Sequence, residues 1–169
     1  MRVYIPVTLS MLRQLVADGS LRPVSGTAFA VTPKLRESYA EGDDEELGEV
    51  ALREAALASL RLLAGAADGP EDDTLPPRRA VLVADVPDAT LRPDLDDAVV
   101  RIGAPVTSNE VVAAFIDNAA AEAQVKAAVD VIDAADLGDE DAEFTVGDAQ
   151  DHDLAWYATQ ELPFLLELL

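Results

Sequence analysis

The segment 80–86, Ala-Val-Leu-Val-Ala-Asp-Val, opens with five consecutive apolar residues and is followed by the turn-forming pair Pro87-Asp88. A short apolar run of this kind, rich in β-branched valine, is typical of a strand that is buried on both faces. We therefore predict an α/β (or α+β) protein in which this strand belongs to a sheet with helices packed on it.

Strand and helix patterns alternate on both sides of this segment. Thr8 and Asn118 are predicted N-caps, and on the helix that follows Asn118 we expect Glu122 and Lys126 to form an ion pair. The other predicted strands are 2–6, 27–31 and 98–102, the longest predicted helix is 44–64, and 113–117 fits either a helix or a strand. These segments predict a mixed sheet of about five strands.

The tripeptide Pro-Val-Thr follows a predicted strand twice, at 6–8 and at 105–107. It suggests a βαβα pseudo-repeat, and helix-entry chemistry that arose twice independently is the alternative. The length fits a single domain over 1–169, with a flexible loop over about 66–79 where Gly, Pro and Asp are frequent.

The composition argues against several classes of function. With 33 acidic and 12 basic residues the formal net charge is −21, which repels nucleic-acid phosphates and anionic lipid. The absence of cysteine excludes disulfides, thiolate zinc sites and thiol catalysis. The phosphate-binding motifs G-x-x-x-x-G-K and G-x-G-x-x-G are also absent from the sequence. We expect a cytoplasmic protein with no cofactor, no direct binding of nucleic acid and no membrane binding.

Charge is unevenly distributed along the chain. Residues 1–36 carry five basic residues and one acidic residue, whereas 127–169 carry twelve acidic residues and no basic one. Such asymmetry favours a protein partner with a basic surface. A solvated surface that reflects composition alone is the alternative.

The densest acidic cluster, 136–153, contains eight carboxylates and the only histidine. Several hard oxygen ligands without competing cations suit Mg²⁺, Mn²⁺ or Ca²⁺, so this cluster is the candidate metal site of an enzyme. The calcium-loop pattern fails, because a loop that starts at Asp139 has Phe144 and Gln150 where Gly and Glu are required. The candidate ligands are Asp139, Asp141, Glu143, Asp148 and His152.

Two residues are candidate catalytic groups. His152 could act as a general base that a neighbouring carboxylate orients, and a plain surface residue is the alternative. Asp85 follows the apolar run of the predicted strand, where open α/β sheets place ligand groups. Its alternative role is to cap the turn at Pro87-Asp88.

The C-terminal segment is strongly apolar and includes the only tryptophan. Packing against the sheet is the expected fate of such a segment. Any part that stays exposed would form an interface, most simply that of a homodimer. The candidate interface residues are Trp156, Tyr157, Phe164, Leu165 and Leu168.

The similarity of this chain to a known family rests on three segments: 1–6 (Met-Arg-Val-Tyr-Ile-Pro), 26–33 (Gly-Thr-Ala-Phe-Ala-Val-Thr-Pro) and 154–161 (Leu-Ala-Trp-Tyr-Ala-Thr-Gln-Glu). The chain resembles an uncharacterised family of small acidic actinobacterial proteins, a domain of unknown function. The resemblance implies a cytoplasmic bacterial protein and assigns no activity, cofactor or catalytic residue.

Taken together, these patterns favour a non-enzymatic, acidic protein-interaction or accessory domain. The alternatives are a divalent-metal-dependent, hydrolase-like enzyme and a nucleic-acid mimic that binds a basic protein.

Overall fold

The computed structural model describes residues 1–39, 41–66 and 75–169. Within these residues the chain forms nine strands and six α-helices. The strands are β1 (Arg2–Val7), β2 (Ser20–Leu21), β3 (Thr27–Phe29), β4 (Ala80–Asp85), β5 (Thr90–Leu91), β6 (Val99–Arg101), β7 (Val106–Thr107), β8 (Val111–Ile116) and β9 (Ala155–Ala158). The helices are α1 (Leu9–Asp18), α2 (Pro33–Ser38), α3 (Asp44–Ala66), α4 (Glu122–Asp136), α5 (Glu140–Gln150) and α6 (Leu162–Glu167).

The strands form a seven-stranded sheet in the order β5-β6-β3-β1-β4-β8-β9, and β2 pairs with β7 in a separate ribbon. Every neighbouring pair is antiparallel, so the prediction of a mixed sheet of about five strands is wrong in both respects. β4 lies between β1 and β8, and Ala80 to Ala84 are all buried, as predicted. A strand covered by helices on both faces gives the same continuous apolar run in either sheet type, which is why the run did not reveal strand direction.

Helices cover both faces of the sheet. On one face Val3, Ile5 and Leu82 pack in a core with the buried leucines of α1 and α6. On the other face Val81 packs with α3 through Leu47 and its alanines. A third core joins the far end of α3 to α4 and α5. None of the described helices is both long and apolar enough to cross a membrane.

Local capping chemistry agrees with the predictions at several boundaries. The Thr8 hydroxyl accepts a hydrogen bond from the Met11 amide at 3.2 Å and begins α1, which ends at Gly19 with φ of 77°. Asn118 accepts from the Ala120 amide at 3.1 Å in a 3₁₀ turn that leads into α4. The segment 113–117, whose sequence fits either a helix or a strand, belongs to β8 except for its last residue.

The pseudo-repeat stays a prediction. Its two copies lead into different structures, because 6–8 enters the ten-residue helix α1 whereas 105–107 enters a three-residue 3₁₀ turn and then β8. The loop predicted over about 66–79 lies mostly outside the described residues. Of its described part, Ala66 is the last residue of α3, and 75–79 is neither helix nor strand.

A buried hydroxyl group on α3 forms hydrogen bonds to the sheet. Ser59 Oγ donates to the Val7 carbonyl at 2.7 Å and accepts from the Ala80 amide at 3.0 Å. Val7 and Ala80 are register partners on β1 and β4, so a single helix side chain bridges the two strands. Because Ser59 is fully buried, no water replaces these bonds when the hydroxyl is removed.

We expect Ser59→Ala to lower the free energy of unfolding by about 1–3 kcal/mol, because it leaves a buried donor and a buried acceptor without partners. Ser38→Ala is the control, since the Ser38 hydroxyl bonds the Lys34 carbonyl and Asp97 at an exposed site. Urea unfolding of both variants gives the comparison. Equal losses in the two variants would contradict the bridging role of Ser59.

Candidate functional site

Two buried ionisable residues lie side by side at the end of the sheet. The antiparallel register pairs Ala80 with Ile116, which sets Arg79 and Asp117 opposite each other one residue further along. Arg79 Nε donates to Asp117 Oδ2 at 2.9 Å, Nη2 donates to Oδ1 at 2.7 Å, and the Arg79 amide donates to Oδ2 at 2.8 Å. Only 1% of Arg79 and 0% of Asp117 is exposed, so this ion pair is stabilised by its hydrogen bonds rather than by water.

The same guanidinium holds the C-terminal part of the chain. Arg79 Nη1 donates to Gln150 Oε1, on the last residue of α5, at 3.1 Å. Its Nη2 also donates to the backbone carbonyl of His152 at 2.8 Å. Arg79 therefore joins β4, β8, α5 and the segment that enters β9, and we call this arrangement the Arg79 hub.

Reasoning from the sequence missed the Arg79 hub. Arg79 lies in a polar loop segment and Asp117 lies next to a predicted helix cap, so neither stands out alone. The available signal was the position of these two residues. Arg79 directly precedes the apolar strand β4, Asp117 directly follows the apolar strand β8, and their charges are opposite. This signal becomes informative only once β4 and β8 are known to pair antiparallel.

The predicted acidic cluster folds mainly into α5. Val146 and Ala149 on its inner side pack in the core shared with α4. The opposite side lines one shallow hollow, which we call the acidic face: Glu140, Glu143, Phe144, Gly147, Asp148 and Asp151. Phe144 stands among these four carboxylates with 75% of its surface exposed. An apolar ring is thus presented to solvent inside a negatively charged rim.

The candidate metal ligands are divided between different sites. Glu143 and Asp148 lie on the acidic face, whereas Asp139, Asp141 and His152 do not line it. Asp139 Oδ1 accepts from the Ala142 amide at 2.9 Å and caps α5. Among the residues that the structure describes, no group of three His, Asp or Glu side chains is placed to hold a metal ion. The divalent-cation site stays a prediction without a ligand set.

The two candidate catalytic groups are held in different ways. His152 is partly buried, and its backbone carbonyl belongs to the Arg79 hub. Asp85 is the last residue of β4 and accepts two hydrogen bonds from Arg2, at 3.0 and 3.2 Å, across the register pair of β1 and β4. These hydrogen bonds lower the pKa of Asp85, so its carboxylate is fixed in the charged form within a cross-strand ion pair.

One part of the C-terminal segment packs on the sheet, and another part is exposed to solvent. Tyr157 and Leu165 pack against the core below α1 and α6. Phe164 and Leu168, four residues apart on and just after α6, are 69% and 85% exposed, and Trp156 on the edge strand β9 is 58% exposed. Trp156 lies opposite Phe115 of β8, on the face of the sheet that α3 covers.

Comparison with known proteins gives a family without a function. Residues 1–166 match the model of a family described as "Family of unknown function (DUF6912)", and the chain belongs to that family. No curated protein and no solved structure matches the chain. Any function must therefore be argued from the geometry above.

We expect Asp117→Asn to lower the free energy of unfolding by about 3–5 kcal/mol, because it leaves the buried Arg79 charge without a carboxylate. Asp85→Asn is the matched control, since it removes the same group from an exposed ion pair with Arg2 and should cost about 1 kcal/mol or less. Urea unfolding at neutral pH measures both. Losses of similar size would show that burial does not set the strength of the Arg79–Asp117 pair.

Proposed function

We propose that this chain is a non-enzymatic interaction or accessory domain of the cytoplasm that binds a basic protein partner through the acidic face. The observation that carries the proposal is Phe144, which is 75% exposed and lines the same hollow as Glu140, Glu143, Asp148 and Asp151. Protein interfaces characteristically have an aromatic residue at the centre and polar groups around it.

The charge of the acidic face favours a basic partner. After Lys126 the sequence has no Lys or Arg, so no cation on α5 neutralises the four carboxylates of the acidic face. A partner segment with Lys and Arg around an apolar side chain would pair with the rim and cover Phe144. Exposed charges contribute mainly to the rate and specificity of such an encounter, whereas the buried ring contributes most of the affinity.

The exposed ring of Phe144 favours binding of a basic protein through an apolar contact over nucleic-acid mimicry. A mimic of phosphate groups needs only spaced negative charges, and an exposed phenylalanine among them adds nothing to that resemblance. An apolar anchor favours a basic protein that contributes an apolar side chain of its own. The homodimer stays a prediction, and Trp156, Phe164 and Leu168 are the exposed candidate residues on which it rests.

We expect Phe144→Ala to weaken binding of the partner about tenfold or more. The charge reversal Glu140→Lys with Glu143→Lys should weaken it strongly and reduce its dependence on salt, because the attraction between rim and partner is electrostatic. Tagged full-length protein and these variants are used to capture partners from the source cells, and bound proteins are quantified by mass spectrometry.

Two variants serve as matched controls. Glu45→Lys with Glu49→Lys makes the same change of net charge at exposed positions of α3, and Phe164→Ala removes an exposed ring from α6. A basic partner that both acidic-face variants lose and both controls retain supports the proposal. A set of bound proteins that is the same for all variants, or that is lost with Phe164→Ala alone, contradicts it.

A further inference from the structure

The second surface feature is a cleft between α1, the C-terminal half of α3, and α4. Its volume is about 920 Å³, within the range of pockets that hold small organic molecules. Apolar side chains form much of its wall, among them Leu9, Leu21, Leu62 and Val129. Leu9 and Leu21 also belong to the core, so this wall is part of the rigid fold.

The described lining of this cleft has more basic than acidic residues, unlike the chain as a whole. The chain has 33 acidic and 12 basic residues, yet among the residues that the structure describes the cleft is lined by Arg22, Arg61 and Lys126 and by a single acid, Asp130. Chance placement of charges in this composition would favour acids in any cleft. Three cations around an apolar wall therefore indicate a site for a negatively charged group.

Two of these cations are available to a ligand. Arg61 is engaged by Asp136, with Nη2 and Oδ1 3.0 Å apart. Lys126 does not form the expected pair with Glu122, because Arg78 Nη2 donates to Glu122 at 3.0 Å instead. In the part of the chain that the structure describes, neither Arg22 nor Lys126 forms an ion pair.

Uncharged polar groups complete the rim. The side chains of Ser10 and Gln14 project from α1 among the lining residues, and the first turn of α1 contains no acidic residue. The partial positive charge at this end of the helix is therefore not neutralised locally and adds to that of Arg22 and Lys126.

We propose that the cleft binds a small amphipathic anion, with its carboxylate or phosphate head at Arg22 and Lys126 and its apolar body against Leu21, Leu62 and Val129. This inference is independent of the acidic face, since the two surfaces share no residue. It assigns the protein a small-molecule ligand in addition to its proposed protein partner.

The test measures binding of decanoate, decyl phosphate, decanol and inorganic phosphate to the full chain by calorimetry, at about 0.15 M salt, near physiological ionic strength. We expect decanoate or decyl phosphate to bind, with decanol and inorganic phosphate each about tenfold weaker or undetectable, because the site requires both head and body. The tighter of the two anionic probes identifies the head group.

Variants then locate the site. Arg22→Glu with Lys126→Glu should weaken the anionic probe about tenfold or more, whereas Lys34→Glu with Arg53→Glu, at exposed cations outside the cleft, should leave affinity unchanged. Circular dichroism confirms that both variants fold. The proposal is overturned if neither anionic probe binds, if decanol or inorganic phosphate binds equally well, or if both double variants lose the same affinity.

Discussion

Arg79 and Asp117 carry their charges in an interior from which water is excluded. A buried guanidinium and carboxylate are stable only while their hydrogen-bonding groups find partners, and removing one partner costs far more than breaking a surface pair. Arg79 takes its partners from three places: Asp117 beyond β8, Gln150 at the end of α5 and the His152 carbonyl before β9. One side chain thereby ties the end of α5 and the segment that enters β9 to the end of the sheet.

The Arg79 hub holds the end of α5, the helix that carries the acidic face. α5 uses small apolar residues on its inner side, so its packing on α4 leaves Phe144 and the surrounding carboxylates facing outward. The cations of the cleft come from other elements, namely the segment after β2, α3 and α4. In this chain, whose net charge is −21, we propose that the acidic face binds a basic protein and that the cleft binds a small anion.

Local patterns in the sequence predicted most helices and the central strand, because capping residues and apolar runs act over a few residues. Thr8 and Asn118 cap as expected, and 80–86 differs from β4 by one residue. Strand direction, the edge strand β9 and the Arg79 hub depend on pairing between distant segments, which one-dimensional patterns do not record. The acidic cluster 136–153 is visible in the sequence, but only the helical geometry of α5 shows that Phe144 is exposed beside Glu140, Glu143, Asp148 and Asp151 and that Asp139 serves as a cap.

Hydrogen–deuterium exchange on Arg79→Lys shows whether Arg79 holds the C-terminal elements in place. Lysine keeps the charge but lacks the planar fork that reaches Asp117, Gln150 and His152 together. We expect amide exchange to rise most in α5 and at the start of β9 and less in β1 and β4, because the C-terminal elements lose the hydrogen bonds from Arg79 while the pairing of β8 with β9 remains. Exchange that is unchanged in α5 and β9, or that rises equally throughout the sheet, would contradict the role of Arg79 as the residue that positions the acidic face.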